Sequence, residues 1–186
     1  MECDGWLVSF IDHSKNYWKI VNDAFHMNVY INYNLPKALL PASCGVVLQE
    51  MVTNPLFLTS LVRDSFSLID YEIDSFHILS VKSKAFMLSN GSTIRKHVDY
   101  PFEHKENEIV LKMVYYAHNI WDTSTWYGKF EFWTDNHITY QYDALPNRLV
   151  VFLSDNTSNH SISHIDNIPD NVYQNVIVFY VKILLK

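Results

Sequence analysis

Three residues could do chemistry together: His97 and Asp99, one residue apart in Lys96-His97-Val98-Asp99-Tyr100, and His160, 63 residues further on. Two neutral imidazoles and one carboxylate suit a borderline divalent cation such as Fe(II). Three protein ligands on one face of an octahedron leave three positions open for substrate and oxygen. A His-x-Asp tripeptide is a weak signal by itself, and the chain holds a second copy, His164-Ile165-Asp166. No histidine follows that copy, so it cannot open a His-x-Asp…His set. The competing reading of His97 and Asp99 is a pair at a strand edge facing solvent.

Such ligands need a scaffold that brings distant segments together. From Tyr71 onward the chain is a series of short β runs divided by turns. Strands are predicted near Phe76–Ser80, Ala85–Ser89, Ile94–Val98, Ile109–Ala117, Lys129–Thr134, Ile138–Tyr142, Arg148–Leu153, His160–Ile165 and Asn175–Leu184. Asn90-Gly91 is a turn signal six residues ahead of His97, Asp135-Asn136 reads as a hairpin tip, and Tyr100-Pro101 closes the strand that carries the ligand pair. Ahead of Tyr71 the pattern is mixed. It suggests a short helix around Ser14–Asp23, an alternating strand at Phe25–Asn32, a proline-bounded turn at Leu35–Pro41, and helices at Gly45–Met51 and Pro55–Phe66. Asn54-Pro55 suits a helix start, since Asn caps free amides and Pro tolerates the first helical position. Many short strands at this spacing indicate a β-sandwich or barrel.

The motifs around the ligands resemble the 2-oxoglutarate/Fe(II) dioxygenases, most closely the prolyl-hydroxylase-like branch, over about residues 80–181. Met113–Trp121, with Tyr115-Tyr116-Ala117-His118-Asn119, is similar to the family's aromatic strand running into Asn and Trp. Trp126-Tyr127-Gly128 is similar to its Trp-Gly-Gly entry to the next strand, with Tyr127 in place of the first glycine. Pro146–Phe152 is similar to the strand leading to the distal histidine, and the eight-residue step from Phe152 favours His160 over His164. The resemblance implies a mostly β fold, a double-stranded β-helix (jelly roll) with N-terminal helices packed on it. The length of 186 residues fits one domain over residues 1–186, with a helical or mixed part at 1–70 and the β core at 71–186. The resemblance also implies His97, Asp99 and His160 as ligands of catalytic Fe(II), with 2-oxoglutarate as cosubstrate, and hydroxylation of a C–H bond on a peptide side chain or small metabolite.

The chain departs from the family at the cosubstrate's far carboxylate. An Arg or Lys is usual on the strand after the distal histidine, where a bidentate contact suits Arg; here Tyr173 stands in that place, with Gln174 beside it. Lys112 is the expected substitute, because Lys112, Val114 and Tyr116 share one face of a strand, and Tyr116 resembles the family's carboxylate-binding tyrosine. Lys112, Tyr116 and Tyr173 are thus the expected cosubstrate-facing residues, the alternative for Lys112 being a solvent-facing strand lysine. Arg148 reads as structural, and His104, His118 and His137 as turn or strand-surface residues. The alternative to an enzyme is a non-catalytic jelly-roll protein that binds metal or a small ligand.

Composition narrows the classes further. The chain has 186 residues, 48 % of them apolar and 15 % aromatic, enough for one sizeable core. A net charge of −6 without a Lys/Arg cluster argues against tracking nucleic-acid phosphates. Cys3 and Cys44 are too few for a disulfide framework, and the acidic first residues are no signal peptide, which points to a cytoplasmic setting. The C-terminal run Val176–Leu185 is about half a membrane span and carries Lys182, so it reads as a buried strand rather than an anchor.

Overall fold

The computed structural model describes residues 55–68, 73–99, 106–118, 120–146, 148–170 and 172–186. The predicted elements at Ser14–Asp23, Phe25–Asn32, Leu35–Pro41 and Gly45–Met51 lie outside them, as do Cys3, Cys44, Asn54, Tyr100-Pro101 and His104. The described elements are a helix, α1 (Pro55–Leu68), and eight strands: β1 (Phe76–Leu88), β2 (Ile94–His97), β3 (Glu108–Tyr116), β4 (Phe130–Thr134), β5 (His137–Tyr142), β6 (Leu149–Leu153), β7 (His160–Ile162) and β8 (Gln174–Leu185). They form two four-stranded sheets, ordered β1-β8-β3-β6 and β2-β7-β4-β5, and every strand pair is antiparallel. The architecture is mostly β, a double-stranded β-helix.

The near-continuous apolar run of β8 follows from its central place, where both faces are covered. Val176, Val178 and Tyr180 join Val110, Val114, Tyr116, Phe130 and Ile162 in the core between the sheets. Ile177, Phe179, Val181 and Ile183 face the other way and pack with Leu58, Val62 and Phe66. Those last three recur at a spacing of four, which places them on one face of α1. β3 alternates in the same manner, sending Val110, Val114 and Tyr116 inward and Leu111 and Met113 toward the helix.

Two boundaries differ from the sequence expectation. Phe76–Ser80 and Ala85–Ser89 are one strand, β1, with a register shift between Ile78 and Ser80. The intervening Lys82-Ser83-Lys84 lacks the apolar texture of a strand, yet its backbone pairs with Val178–Tyr180. An edge strand tolerates lysine and gains protection from it. The run expected at His160–Ile165 stops at Ile162, and Ile165 makes an isolated bridge to Tyr127. The hairpin tip at Asp135-Asn136 and the turn at Asn90-Gly91 are present, with Asp135 at φ 53° and Gly91 at φ 82°.

Candidate metal centre

His97 ends β2 and His160 opens β7, and the two are register partners in the β2-β7-β4-β5 sheet. Their rings lie 4.3 Å apart. Asp99 follows two residues after His97, which keeps it on the same side of an extended chain. One ligand atom from each of His97, Asp99 and His160 falls within a group no more than 4.8 Å across. Asp99 and His160 are buried, while His97 is half-buried.

Backbone carbonyls fix which nitrogen each imidazole offers. Nδ1 of His97 lies 2.7 Å from Arg95 O, and Nδ1 of His160 lies 2.8 Å from Ser158 O. A carbonyl oxygen only accepts, so each Nδ1 carries the proton and each Nε2 keeps its lone pair, the arrangement that orients a metal-binding histidine. The Ser158 carbonyl is itself held by a turn in which Asp155 Oδ1 accepts from the amides of Thr157 and Ser158. Burial, and then the neighbouring Lys112 charge, push the His160 imidazole down to about 3, so it is neutral near pH 7. His160 also stacks on Phe130 at 5.5 Å and meets Phe152 edge-on at 5.2 Å. A donor set of two lone-pair nitrogens and a carboxylate fits Fe(II) or a similar divalent ion.

Asp99 is the most heavily bonded group of the site. Burial would raise its pKa, but Lys112 and the two imidazoles outweigh that and hold the carboxyl below its ordinary range. Lys112 Nζ lies 2.8 Å from each carboxylate oxygen and donates to His160 Nε2 at 2.7 Å. Ser154 Oγ donates to Oδ2 at 3.1 Å and Tyr180 Oη to Oδ1 at 3.2 Å. The solvent-facing alternative for Lys112 is therefore overturned: the residue is 3 % exposed, with its ammonium above the rings of Phe152 and Tyr180. Ser154 and Tyr180 escaped the sequence reading. Tyr180 could have been found from strand parity, since it shares the inward face of Val176 and Val178; Ser154 lies just past the end of β6 and carries no such signal.

Of the other expected cosubstrate residues, Tyr116 lies in the core between the sheets and Tyr173 outside the strands. A cavity beside His97 and His160 is lined by Lys112, Val114, Val178 and Tyr180, among others. Tyr116 is fully buried on the inward face, four residues or about 13 Å along the strand from Lys112. Tyr173 is half-buried and precedes β8, whereas Gln174, the strand's first residue, is fully buried and donates through Nε2 to Gly128 O at 2.8 Å. His164 is exposed and stands outside the three-residue group. His137 is exposed as expected, but His118 is not a surface residue: it is buried with Nε2 2.7 Å from Ala144 O. Arg148 is structural, donating to Asp143 O. Tyr127 and Gly128 both have left-handed backbone, φ 53° and 69°, so the two-glycine expectation reflects a conformational demand that Tyr127 meets under strain.

A jelly roll with two imidazoles and a carboxylate at one mouth defines a class of metal-dependent proteins. The profile of the 2OG-Fe(II) oxygenase superfamily matches residues 83–181, and the chain belongs to that superfamily, whose cofactors are Fe(II) and 2-oxoglutarate. No curated protein matches the chain. Among solved structures it is similar to a prolyl hydroxylase from Trichoplax adhaerens in complex with a hypoxia inducible factor peptide fragment, at 18 % identity and TM-score 0.46, covering 74 % of this chain and 56 % of that one. It is also similar to a Pseudomonas putida prolyl-4-hydroxylase, at 16 % and 0.43, covering 56 % and 53 %. A third is the viral collagen prolyl hydroxylase of Paramecium Bursaria Chlorella virus-1, at 12 % and 0.44, covering 70 % and 72 %. The chain spans about half the length of the first two. Among the described residues no helix is long and apolar enough to cross a membrane.

Proposed function

We propose that this chain, acting as one domain, is a 2-oxoglutarate- and Fe(II)-dependent oxygenase that hydroxylates a C–H bond of a peptide side chain, such as proline, or of a small metabolite. The observation that carries this reading is the pair of imidazoles whose Nδ1–H groups are tied to Arg95 O and Ser158 O, presenting both Nε2 atoms beside Asp99. His97, Asp99 and His160 would hold the metal. When bound, the metal would activate dioxygen, one oxygen atom entering the substrate C–H bond and the other the succinate formed from 2-oxoglutarate as carbon dioxide leaves. The protein orients the ligands, excludes water with Phe130, Phe152 and the valines of the cavity, and offers Lys112 and Tyr116 toward the cosubstrate, with Tyr173 at the strand entry. Lys112 is the cation of the cavity wall, and its charge balances the sum: Fe(II), Asp99, Lys112 and a dianionic oxo acid together come to zero.

The test is Fe(II) plus 2-oxoglutarate under anaerobic conditions, followed by air. A visible charge-transfer band and then succinate are expected. Absence of 2-oxoglutarate binding at millimolar concentration with metal present would overturn the reading. Replacing His97 by Ala should weaken Mn(II) binding by more than about 100-fold, beyond what loss of an outer partner costs, and His164→Ala should leave it unchanged. A non-catalytic metal- or ligand-binding jelly roll is the second reading. It is favoured by the uncharged Tyr173 and Gln174, and metal binding with no succinate formed would establish it.

A further inference from the structure

The ammonium of Lys112 stands among the atoms that a metal would bind. It is 2.8 Å from both oxygens of Asp99 and 2.7 Å from Nε2 of His160, and all three side chains are at most 3 % exposed. Those are the same two ligands whose lone pairs the metal needs. A cation buried in this way, against Phe152 and Tyr180, cannot ignore a second cation arriving beside it. We infer that Lys112 is an internal competitor for the metal site, which a divalent ion must displace from Asp99 and His160, and which makes metal retention depend on an anionic oxo acid arriving with the metal.

Charge arithmetic supplies the dependence. With Asp99 and Lys112 alone the site is neutral. A divalent ion raises it to +2 in a buried setting, where like charges are poorly screened. A dianionic oxo acid returns it to zero. Without the lysine charge the metal alone gives +1 and the ternary complex −1. Lys112 therefore opposes the metal by itself and favours metal and oxo acid together. By linkage the oxo acid strengthens metal binding by the same factor as the metal strengthens oxo-acid binding. Tyr180 and Ser154 keep Asp99 in place by hydrogen bonds that carry no net charge, so the competition is specific to position 112.

The inference rests on the oxygenase reading of the site, and one experiment separates the two. Mn(II) binding is measured by electron paramagnetic resonance on wild type, Lys112→Met and Lys112→Gln, each with and without 2-oxoglutarate. Lys112→Gln retains a donor toward Asp99, so a fold-stable neutral variant is available if Lys112→Met is poorly folded. Both variants should bind Mn(II) alone at least about 10-fold more tightly than wild type, a shift of one decade in Kd. The tightening by 2-oxoglutarate should be at least about 10-fold smaller in the variants than in wild type. Equal affinities for Mn(II) alone, or equal enhancement by 2-oxoglutarate in all three, would overturn the competitor role and leave the oxygenase reading intact. Mn(II) binding that survives His97→Ala in the Lys112→Met background would place the metal elsewhere and overturn the oxygenase reading. Tight Mn(II) binding in the variants with none in wild type, even with 2-oxoglutarate, would uphold the competitor and overturn the enzyme.

Discussion

The two ends of the barrel interior handle buried polar groups in opposite ways. At the mouth, Asp99 accepts from Lys112, Ser154 and Tyr180, and the imidazoles of His97 and His160 are tied to carbonyls. About 13 Å along the same strand face, the hydroxyl of Tyr116 and Oε1 of Gln174 are buried with no hydrogen-bond partner among the described residues. At the mouth Asp99 and Lys112 satisfy each other by charge. The deep end holds polar capacity that the described protein does not use, at a cost of about 1–3 kcal/mol per group. A substitution at the mouth should therefore disturb stability through charge, and one at the deep end through shape or ligand binding.

The sharpest break of this comparison is Asp99→Ala. It leaves the Lys112 ammonium 3 % exposed without its counter-charge. Losing one partner of a buried ion pair costs about 3–5 kcal/mol. Urea unfolding of the metal-free protein should show that loss, and Asp99→Ala combined with Lys112→Met should recover at least half of it. A cost below about 1 kcal/mol would mean that the pair does not hold the mouth together.

At the deep end the largest effect should be steric. Gly128 has φ +69°, and a Cβ there would run into Gln174 Nε2 and stand 2.8 Å from Ile165 Cγ1 and 3.1 Å from Trp121 Cζ2. Left-handed strain and overpacking together put Gly128→Ala at about 2–4 kcal/mol, read as a lowered urea midpoint. No change in Mn(II) affinity should accompany it, because none of these atoms belongs to or lies beside His97, Asp99 or His160.

How far the sequence disclosed each end follows from what kind of pattern each uses. That His97, Asp99 and His160 come together was legible because residue type and strand periodicity are local signals, and β3 and β8 betray their doubly buried faces as alternating or continuous apolar residues. The position of the Lys112 ammonium was not legible. Strand parity says that Lys112 points inward, but not whether its flexible chain bends toward Asp99 or extends toward Tyr116. The joining of two predicted runs into β1 was hidden because a backbone ladder places no demand on Lys82 and Lys84. His118 was misread as a surface residue because it follows the strand's last turn of alternation, where its burial against Ala144 and Trp121 depends on the loop's path.

His160 at the mouth and His118 at the deep end make pH a probe of the comparison. His160 is pushed down to about 3, by burial first and then by Lys112; His118 is also lowered, by burial. As pH falls through the ordinary value of 6.5, the unfolded chain takes up protons that the folded chain refuses. Stability present above 6.5 is therefore lost progressively toward 3, and Asp99, also lowered, adds to the loss only below its ordinary 3.8. His160 alone should remove about 2 kcal/mol between pH 7.5 and 5, measured as the unfolding free energy of the metal-free protein. His118→Gln should make the dependence shallower without abolishing it. A flat profile over that range would mean that neither imidazole is held neutral by the fold.

The smallest effect should come from Tyr116→Phe, and it separates shape from ligand binding at the deep end. The ring is fully buried and packs 5.7 Å from the His118 ring, so Phe keeps the apolar contacts. The hydroxyl has no partner among the described residues, and burial pushes its pKa well above the ordinary tyrosine range, which keeps it a neutral donor. Removing such a group should leave the metal-free protein as stable as before, or more stable by up to about 1 kcal/mol. If the hydroxyl serves the far carboxylate of 2-oxoglutarate, the same substitution should weaken cosubstrate binding about 5- to 10-fold, the worth of one hydrogen bond of about 1–1.5 kcal/mol. Mn(II) binding without 2-oxoglutarate should not move. Thermal unfolding and a 2-oxoglutarate titration of the metal-loaded protein read the two halves separately. A stability loss above about 1 kcal/mol with unchanged 2-oxoglutarate affinity would show that the hydroxyl is satisfied within the fold, and the contrast between the two ends would then disappear.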